Sequence, residues 1–299
     1  MQRPFLASTC LGLLALPACG GGAAEVSPDD YFAVGVDPGP ALDDAIASLA
    51  SLGLEPVARY DEARFSAAAL AERGGRSSIR VTSRRGTVLA MDADADDGAL
   101  LSLDPRTGTD LTADGHADLV VVRTEPTRTC LALVEVDAVG TLRAAPADVP
   151  WLDARLCVSE LADLDHDARV DALVTMPLRE LGEPAPSIAV PLTLDDRGVF
   201  VHGAWPPGFG ESETARRDAL LEVALDRGDA AMVWRIAIEI AFIAALRGEG
   251  DDTVRVALGR ARSLALDAEV ARRLDHAEER ARALREASRP APSSPASDE

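Results

Sequence analysis

The sequence predicts an α+β protein: a small N-terminal α/β segment, an antiparallel β domain and a C-terminal helical bundle. Three observations predict it. Between Ile79 and His202 apolar and polar residues alternate in short runs, the period of half-buried strands. After Glu211 apolar residues recur at helical spacing, in stretches separated by Gly228-Asp229 and by Gly248 and Gly250. Pro206-Pro207-Gly208 stands between the two regimes, where neither a strand nor a helix continues easily.

The chain opens with a cationic Met1-Gln2-Arg3, and an uncharged apolar run from Phe5 to Leu16 follows. Leu16-Pro17-Ala18-Cys19 closes the run, and Gly20-Gly21-Gly22 comes next. Twelve apolar residues at about 1.5 Å each fall short of the ~30 Å hydrocarbon core, so residues 1–18 read as a secretory signal. The closing tetrapeptide resembles the lipobox of bacterial lipoproteins, with Pro17 an unusual occupant. That resemblance implies lipidation at Cys19, attachment to the cell envelope, and sorting to the outer membrane, since Gly20 stands where an aspartate would mark retention. Residues 19–28 read as a flexible tether.

Composition sets further limits. The formal charge is −20, and every cationic side chain other than histidine is an arginine, because lysine is absent. Such a chain is repelled by nucleic-acid phosphates and by anionic headgroups, so nucleic acid is not an expected partner and membrane contact falls to the N-terminal lipid. The missing lysine removes phosphate-loop, Schiff-base and Ser-x-x-Lys chemistry. With Cys10 in the signal and Cys19 lipidated, Cys130 and Cys157 remain in an exported chain, where thiols oxidise. A Cys130–Cys157 disulfide is expected, contributing about 3.5 kcal/mol through the unfolded state.

In residues 29–75, Tyr31–Val36 reads as a strand stopped by Asp37-Pro38-Gly39-Pro40. Leu42, Ile46, Leu49 and Leu52 lie on one helical face before Gly53. Leu54–Tyr60 is a second strand, and Asp61 caps a short helix reaching Leu70. The β domain, 76–208, begins with a hairpin, 79–83 and 87–91, and continues through strands at 119–122, 131–136, 156–159, 172–175, 188–194 and 199–202. The bundle, 212–287, has Ala230–Leu246 as its apolar centre, with Arg235 and Glu239 its charges. Asp251-Asp252-Thr253 caps a helix over about 253–265, and a last helix covers about 268–287. Residues 288–299 read as a disordered tail.

One pattern carries chemistry. Asp110, Thr112, Asp114 and Asp118 occupy positions 1, 3, 5 and 9 of a loop that runs into Leu119–Val122. Asp163, Asp165, Asp167 and Asp171 repeat the spacing 53 residues later, ahead of Ala172–Val174. Alternating oxygens on a tight loop converge on one point, as Ca²⁺ requires with about six to eight oxygen ligands. Position 12 is valine in both copies and strands follow, which argues against an EF-hand or dockerin loop. The two loops resemble the FG-GAP or VCBS repeat of bacterial surface proteins. That resemblance implies an incomplete propeller-like β domain and two calcium sites. The first comprises Asp110, Thr112, Asp114, the carbonyl of His116, and Asp118. The second comprises Asp163, Asp165, Asp167, the carbonyl of Arg169, and Asp171. Thr112 weakens the first, and Ala168 stands where the second needs a turn glycine. Asp92–Gly98 looks like a damaged third loop. Solvated aspartate-rich turns are the alternative.

His116 and His166 are expected to face outward, His202 beside Trp205 to sit at a strand end, and Asp43-Asp44, Asp195-Asp196 and Asp251-Asp252 to serve as caps and turns. No catalytic residue is singled out. The functional expectation is a non-catalytic, lipid-anchored envelope scaffold that meets a protein partner through its helices. An envelope hydrolase using carboxylates near the β loops is the competing class.

Overall fold

The computed structural model describes residues 38–73, 75–86, 88–93, 98–136, 141–152, 157–264 and 267–289. The signal, Cys19, the tether, the expected strand at 31–36, the tail beyond 289 and Asp94–Asp97 of the third acidic run lie outside the described residues.

The chain is α+β, as expected, and has two sheets with four helices after them. Helix α1 (Pro38–Ala50) uses the predicted stripe: Leu42 is fully buried, and Ile46 and Leu49 pack beside it over Leu54, Ala68 and Leu70. The turn that ends it puts Gly53 at φ 89°, a conformation a side chain resists.

Strands β1 (Glu55–Asp61), β2 (Phe65–Ala71), β3 (Ser77–Ser83) and β4 (Val88–Ala93) form an antiparallel sheet in that order. Here one expectation fails. Residues 61–70 do not make a capped helix; β2 pairs with β1 (Tyr60 opposite Ala67) and with β3 (Ala67 opposite Val81). Both faces of β2 are covered, so its alanines serve layer packing and not helix propensity. Phe65, Ala67 and Ala69 join the core shared with the second sheet, while Ala68 and Leu70 lie under α1. The β2–β3 pairing also carries this sheet across residue 75.

The second sheet has nine strands: β5 (Leu100–Leu103), β6 (Leu119–Glu125), β7 (Arg128–Val136), β8 (Leu142–Ala144), β9 (Ala147–Asp148), β10 (Val158–Ala162), β11 (Asp171–Pro177), β12 (Ser187–Leu194) and β13 (Phe200–Val201). Their order is β5-β6-β7-β10-β11-β12-β13-β9, with β8 also on β7. All pairs are antiparallel except β13 with β9. Two four-stranded meanders emerge, β5–β8 and β10–β13, each with an acidic loop between its first and second strands.

The meanders meet where Leu131 of β7 pairs with Val158 of β10, the single residue pair between those strands among the described residues. Beside it Cys130 and Cys157 form the predicted disulfide. The sheet curls into a half-barrel, and residues 142–148 cross its open side. Their first half pairs with β7 and their second with β13. Between them Ala145 N–H donates to Leu133 O (2.9 Å), and Phe200 N–H donates to Pro146 O (2.8 Å).

The helices are α2 (Phe209–Arg227), α3 (Ala230–Leu246), α4 (Asp251–Arg262) and α5 (Ala268–Ala287). Asp229 caps α3 by accepting from Met232 N–H (3.0 Å), and Asp267 caps α5 through Val270 N–H (2.8 Å). Asp251 and Asp252 lie inside the first turn of α4, where their charge suits the helix dipole; Gly250 holds the cap position. Helix α3 is buried along nearly all its length. Its Glu239 pairs with Arg217 of α2, not with Arg235. Arg217, 5% exposed, donates from Nε to Glu239 Oε2 (3.2 Å) and from Nη1 to Glu213. Glu239 Oε1 accepts from Ser187 N–H (3.1 Å) of β12. This cluster ties α2, α3 and the half-barrel together.

Removing one partner of such a buried network leaves the others uncompensated. Arg217→Ala is expected to cost about 3–5 kcal/mol, read as a lower urea midpoint at unchanged slope.

Candidate metal centre

The two acidic loops fold alike, residue for residue. The first aspartate caps its own loop: Asp110 accepts from Asp114 N–H (3.1 Å) and Gly115 N–H (2.9 Å). Asp163 accepts from Asp167 N–H (3.1 Å) and Ala168 N–H (3.2 Å). The fifth residue repeats the motif two residues on: Asp114 accepts from His116 N–H and Asp167 from Arg169 N–H, both at 2.8 Å. The ninth residue reaches back to the second. Asp118 Oδ2 accepts from Leu111 N–H (2.8 Å) and Thr112 N–H (3.0 Å), and Asp171 Oδ2 accepts from Leu164 N–H (2.8 Å).

Positions 4 and 6 are left-handed in both copies. Ala113 and Gly115 have φ of 58° and 83°, and His166 and Ala168 have 65° and 73°. Ala168 therefore occupies the left-handed turn position that its alignment with Gly115 predicts. The loops also touch, because Val170 N–H of the second donates to Leu111 O of the first (2.8 Å).

They differ in how their oxygens gather. In the second loop, one carboxylate oxygen from each of Asp163, Asp165 and Asp171 lies within 4.8 Å of the others. Asp167 Oδ2, opposite the oxygen that serves Arg169 N–H, makes no hydrogen bond among the described residues. In the first loop Thr112 stands in place of a carboxylate. Its buried hydroxyl lies beside Asp118 without hydrogen-bond geometry, and Asp118 Oδ1 is likewise buried and unpartnered.

Asp118 is 0% exposed, and protein atoms close its Oδ1 off from solvent. The second loop fits a hard cation by its three convergent carboxylates; among the described residues the first loop gathers no such group.

Electrostatics agree. Burial, reinforced by Asp114, pushes the Asp118 carboxyl up to about 6; burial, reinforced by Asp165 and Asp167, does the same to Asp171. The guanidinium of Arg169 turns away to Asp196 (2.6 Å) and does not neutralise its own loop. Glu135 of β7 was not singled out from the sequence, where it reads as one polar residue in an alternating strand. Its carboxyl is also raised, by burial and then by Asp118, Asp114 and Asp195 against the lowering effect of Arg143.

The remaining candidates fall elsewhere. His166 is exposed, as expected, whereas His116 is half-buried with Nδ1 unpartnered. His202 packs edge-on against Trp151 (5.0 Å between centroids), and burial holds its imidazole below the ordinary value. Asp43 pairs with Arg59 (2.5 Å), and Asp195 turns its hairpin by accepting from Arg197 and Val199 N–H. Asp92 pairs with Arg80 (2.9 Å).

No protein-family model matches this chain, and neither does any curated protein or solved structure.

Two outcomes are expected. With chelator present, the raised Asp171 carboxyl holds its proton more tightly folded than unfolded. Its contribution to stability is therefore present below about pH 4 and lost as pH rises through about 6. Asp171→Asn lacks this loss, so its melting temperature relative to wild type should climb between pH 4 and pH 7. Ala168→Gly should stabilise the protein by about 0.5–1 kcal/mol in denaturant titration, by relieving a left-handed alanine.

Proposed function

We propose that this chain is a non-catalytic, lipid-anchored scaffold of the bacterial cell envelope whose β domain is stiffened by calcium. The anchor is Cys19, and the outer membrane is its place. The observation that carries the calcium reading is the twin loop geometry, with seven aspartates in one repeated register and, among the described residues, no arginine paired with a carboxylate of either loop. Asp163, Asp165, Asp167 and Asp171 with the Arg169 carbonyl would hold the better-furnished ion. Asp110, Thr112, Asp114 and Asp118 with the His116 carbonyl would hold the other. Each ion neutralises clustered carboxylates and fixes the turn ahead of β6 or β11; its role is structural.

The partner surface in this reading is helical. Because α3 is the buried axis of the bundle, it leaves Leu220 and Val223 of α2 and Val256 of α4 as the exposed apolar side chains there. None of the described helices is long and apolar enough to cross a membrane, in keeping with attachment through a lipid. A hydrolase would need two convergent carboxylates in a cleft outside the loops. Three of the cavities each have one acidic side chain among their described lining residues: Asp148, Glu211 or Glu180.

Calorimetric calcium titration of the chain starting at Gly20 is expected to show two sites, with Asp167→Ala removing the tighter. Chelator should lower the wild-type melting temperature and leave a variant lacking both loop carboxylate sets unchanged. Absence of both heat and thermal shift would overturn the metal reading. For the anchor, Cys19→Ser should abolish labelling by radioactive palmitate, and globomycin should block processing.

A further inference from the structure

We propose that the cleft between the half-barrel and α5 binds a small organic anion, a carboxylate or phosphate carried on an apolar body. The site depends neither on calcium nor on the lipid anchor.

One side of the cleft is set by the segment that follows β11. A single turn of 3₁₀ helix, Arg179–Leu181, comes directly after Leu178. Leu178 and Leu181 are buried in the core and fasten this turn. Leu178 N–H also donates to Pro186 O (2.8 Å), and Leu181 N–H donates to Leu178 O (3.0 Å). With those two side chains turned inward, Arg179 and Glu180 between them stay exposed. The other side is α5, where Arg280 reaches Glu180 at 3.4 Å.

The space so enclosed is about 700 Å³, the size of a small-molecule site, and it is open to solvent. Arg128, Arg179 and Arg280 line it against one carboxylate, Glu180, among the described residues. Their charges are unequally spent. Arg128 already holds Glu125 (2.7 Å), and Arg280 has only its long contact to Glu180. Arg179 makes no ion pair and no side-chain hydrogen bond among the described residues. A guanidinium offers paired donors to a carboxylate or phosphate and is weakly hydrated, so a free one beside a loosely held one suits an oxyanion. The net charge of −20 repels anions at long range, so this preference acts on a ligand already inside the cleft.

The rest of the lining asks for more than a bare ion. Trp151, Met176 and Leu284 are half-buried and line the cleft together with the buried Phe242 of α3. Trp151 is braced by His202, edge-on at 5.0 Å between centroids. An inorganic anion leaves this apolar surface wet, whereas an aromatic or aliphatic body covers it.

The test is titration of the full chain with phenyl phosphate, benzoate, inorganic phosphate and benzyl alcohol at about 0.15 M salt, followed by calorimetry and tryptophan emission. Phenyl phosphate or benzoate is expected to bind at one per chain, about tenfold more tightly than inorganic phosphate or benzyl alcohol. The tighter of the two anions identifies the head group. Arg179→Ala should weaken it about tenfold, as loss of a charge-assisted hydrogen bond does, and leave benzyl alcohol unchanged. Ala283→Trp, at an exposed α5 position in the lining, should weaken the anion and benzyl alcohol alike at an unchanged melting temperature. Trp151→Phe should remove the emission change. Arg272→Ala, on the same helix but paired with Glu269 outside the lining, should bind as wild type does. The proposal is overturned if neither anion binds more tightly than benzyl alcohol and inorganic phosphate, or if either Arg179→Ala or Ala283→Trp binds the anion as wild type does.

Discussion

Two buried carboxylates, Asp118 and Asp171, set the conditions for the rest of this molecule. Each sits at the root of the second strand of a meander, out of water, and draws backbone N–H groups of its loop down onto one oxygen. That contact fixes the loop's entry, its two left-handed residues and the register of the following strand. A buried carboxylate with one oxygen satisfied is costly unless the other is protonated or finds a cation. The loops cannot relax to avoid this cost. Leu111 of one is hydrogen-bonded to Val170 of the other, and Arg106 of the first donates to Leu161 O at the end of β10.

The same local device is used twice but packed differently. Leu119, Val121, Val134 and Val136 of the first meander face the four-stranded sheet, while Ala172, Val174, Ile188 and Val190 of the second face the helices. The loop-and-strand unit that occurs twice thus presents two apolar faces, each with its own cover. Closure came from outside the repeat, through residues 142–148, which belong to β7 at one end and β13 at the other. The disulfide lies beside the Leu131–Val158 pair, so a covalent link stands at the junction of the two meanders.

Legibility in the sequence followed the length and isolation of each signal. Helices α3 and α5 were readable to the residue because Asp229 and Asp267 cap them and glycine or aspartate interrupts the stripe. Strands β6, β7, β11 and β12 were readable from their β-branched alternation. Strand β2 was not, because Phe-Ser-Ala-Ala-Ala-Leu-Ala has helix-forming composition and its strand state depends on cover from both sides. Strand β5, only four residues long and next to an acidic run, and β8 and β9 are too short to show a period. In the loops, positions 1, 3, 5 and 9 and the strained Ala168 could be read directly, since the repeat spacing encodes them. Glu135, Arg217 and the cavities could not: each depends on side chains brought together from elements far apart in the chain.

Charge distribution ties the loops to the rest of the surface. With lysine absent, the chain neutralises its carboxylates through arginine forks, and these are spent in local pairs on the helices and hairpins. Arg217 goes to Glu213 and Glu239, Arg247 to Glu211 and Glu249, and Arg262 to Asp275 and Glu278. The one arginine within a loop, Arg169, leaves for Asp196. The loops therefore take their counter-charge from solution. Protons can supply it below about pH 6, where Asp118 and Asp171 titrate. Above that value the same oxygens are bare, crowded and held in place by backbone N–H groups, which is the state in which a hard divalent cation competes best. In our reading the fold relies on that cation at neutral pH, and the strain carried by Ala113, His166 and Ala168 is offset when it binds.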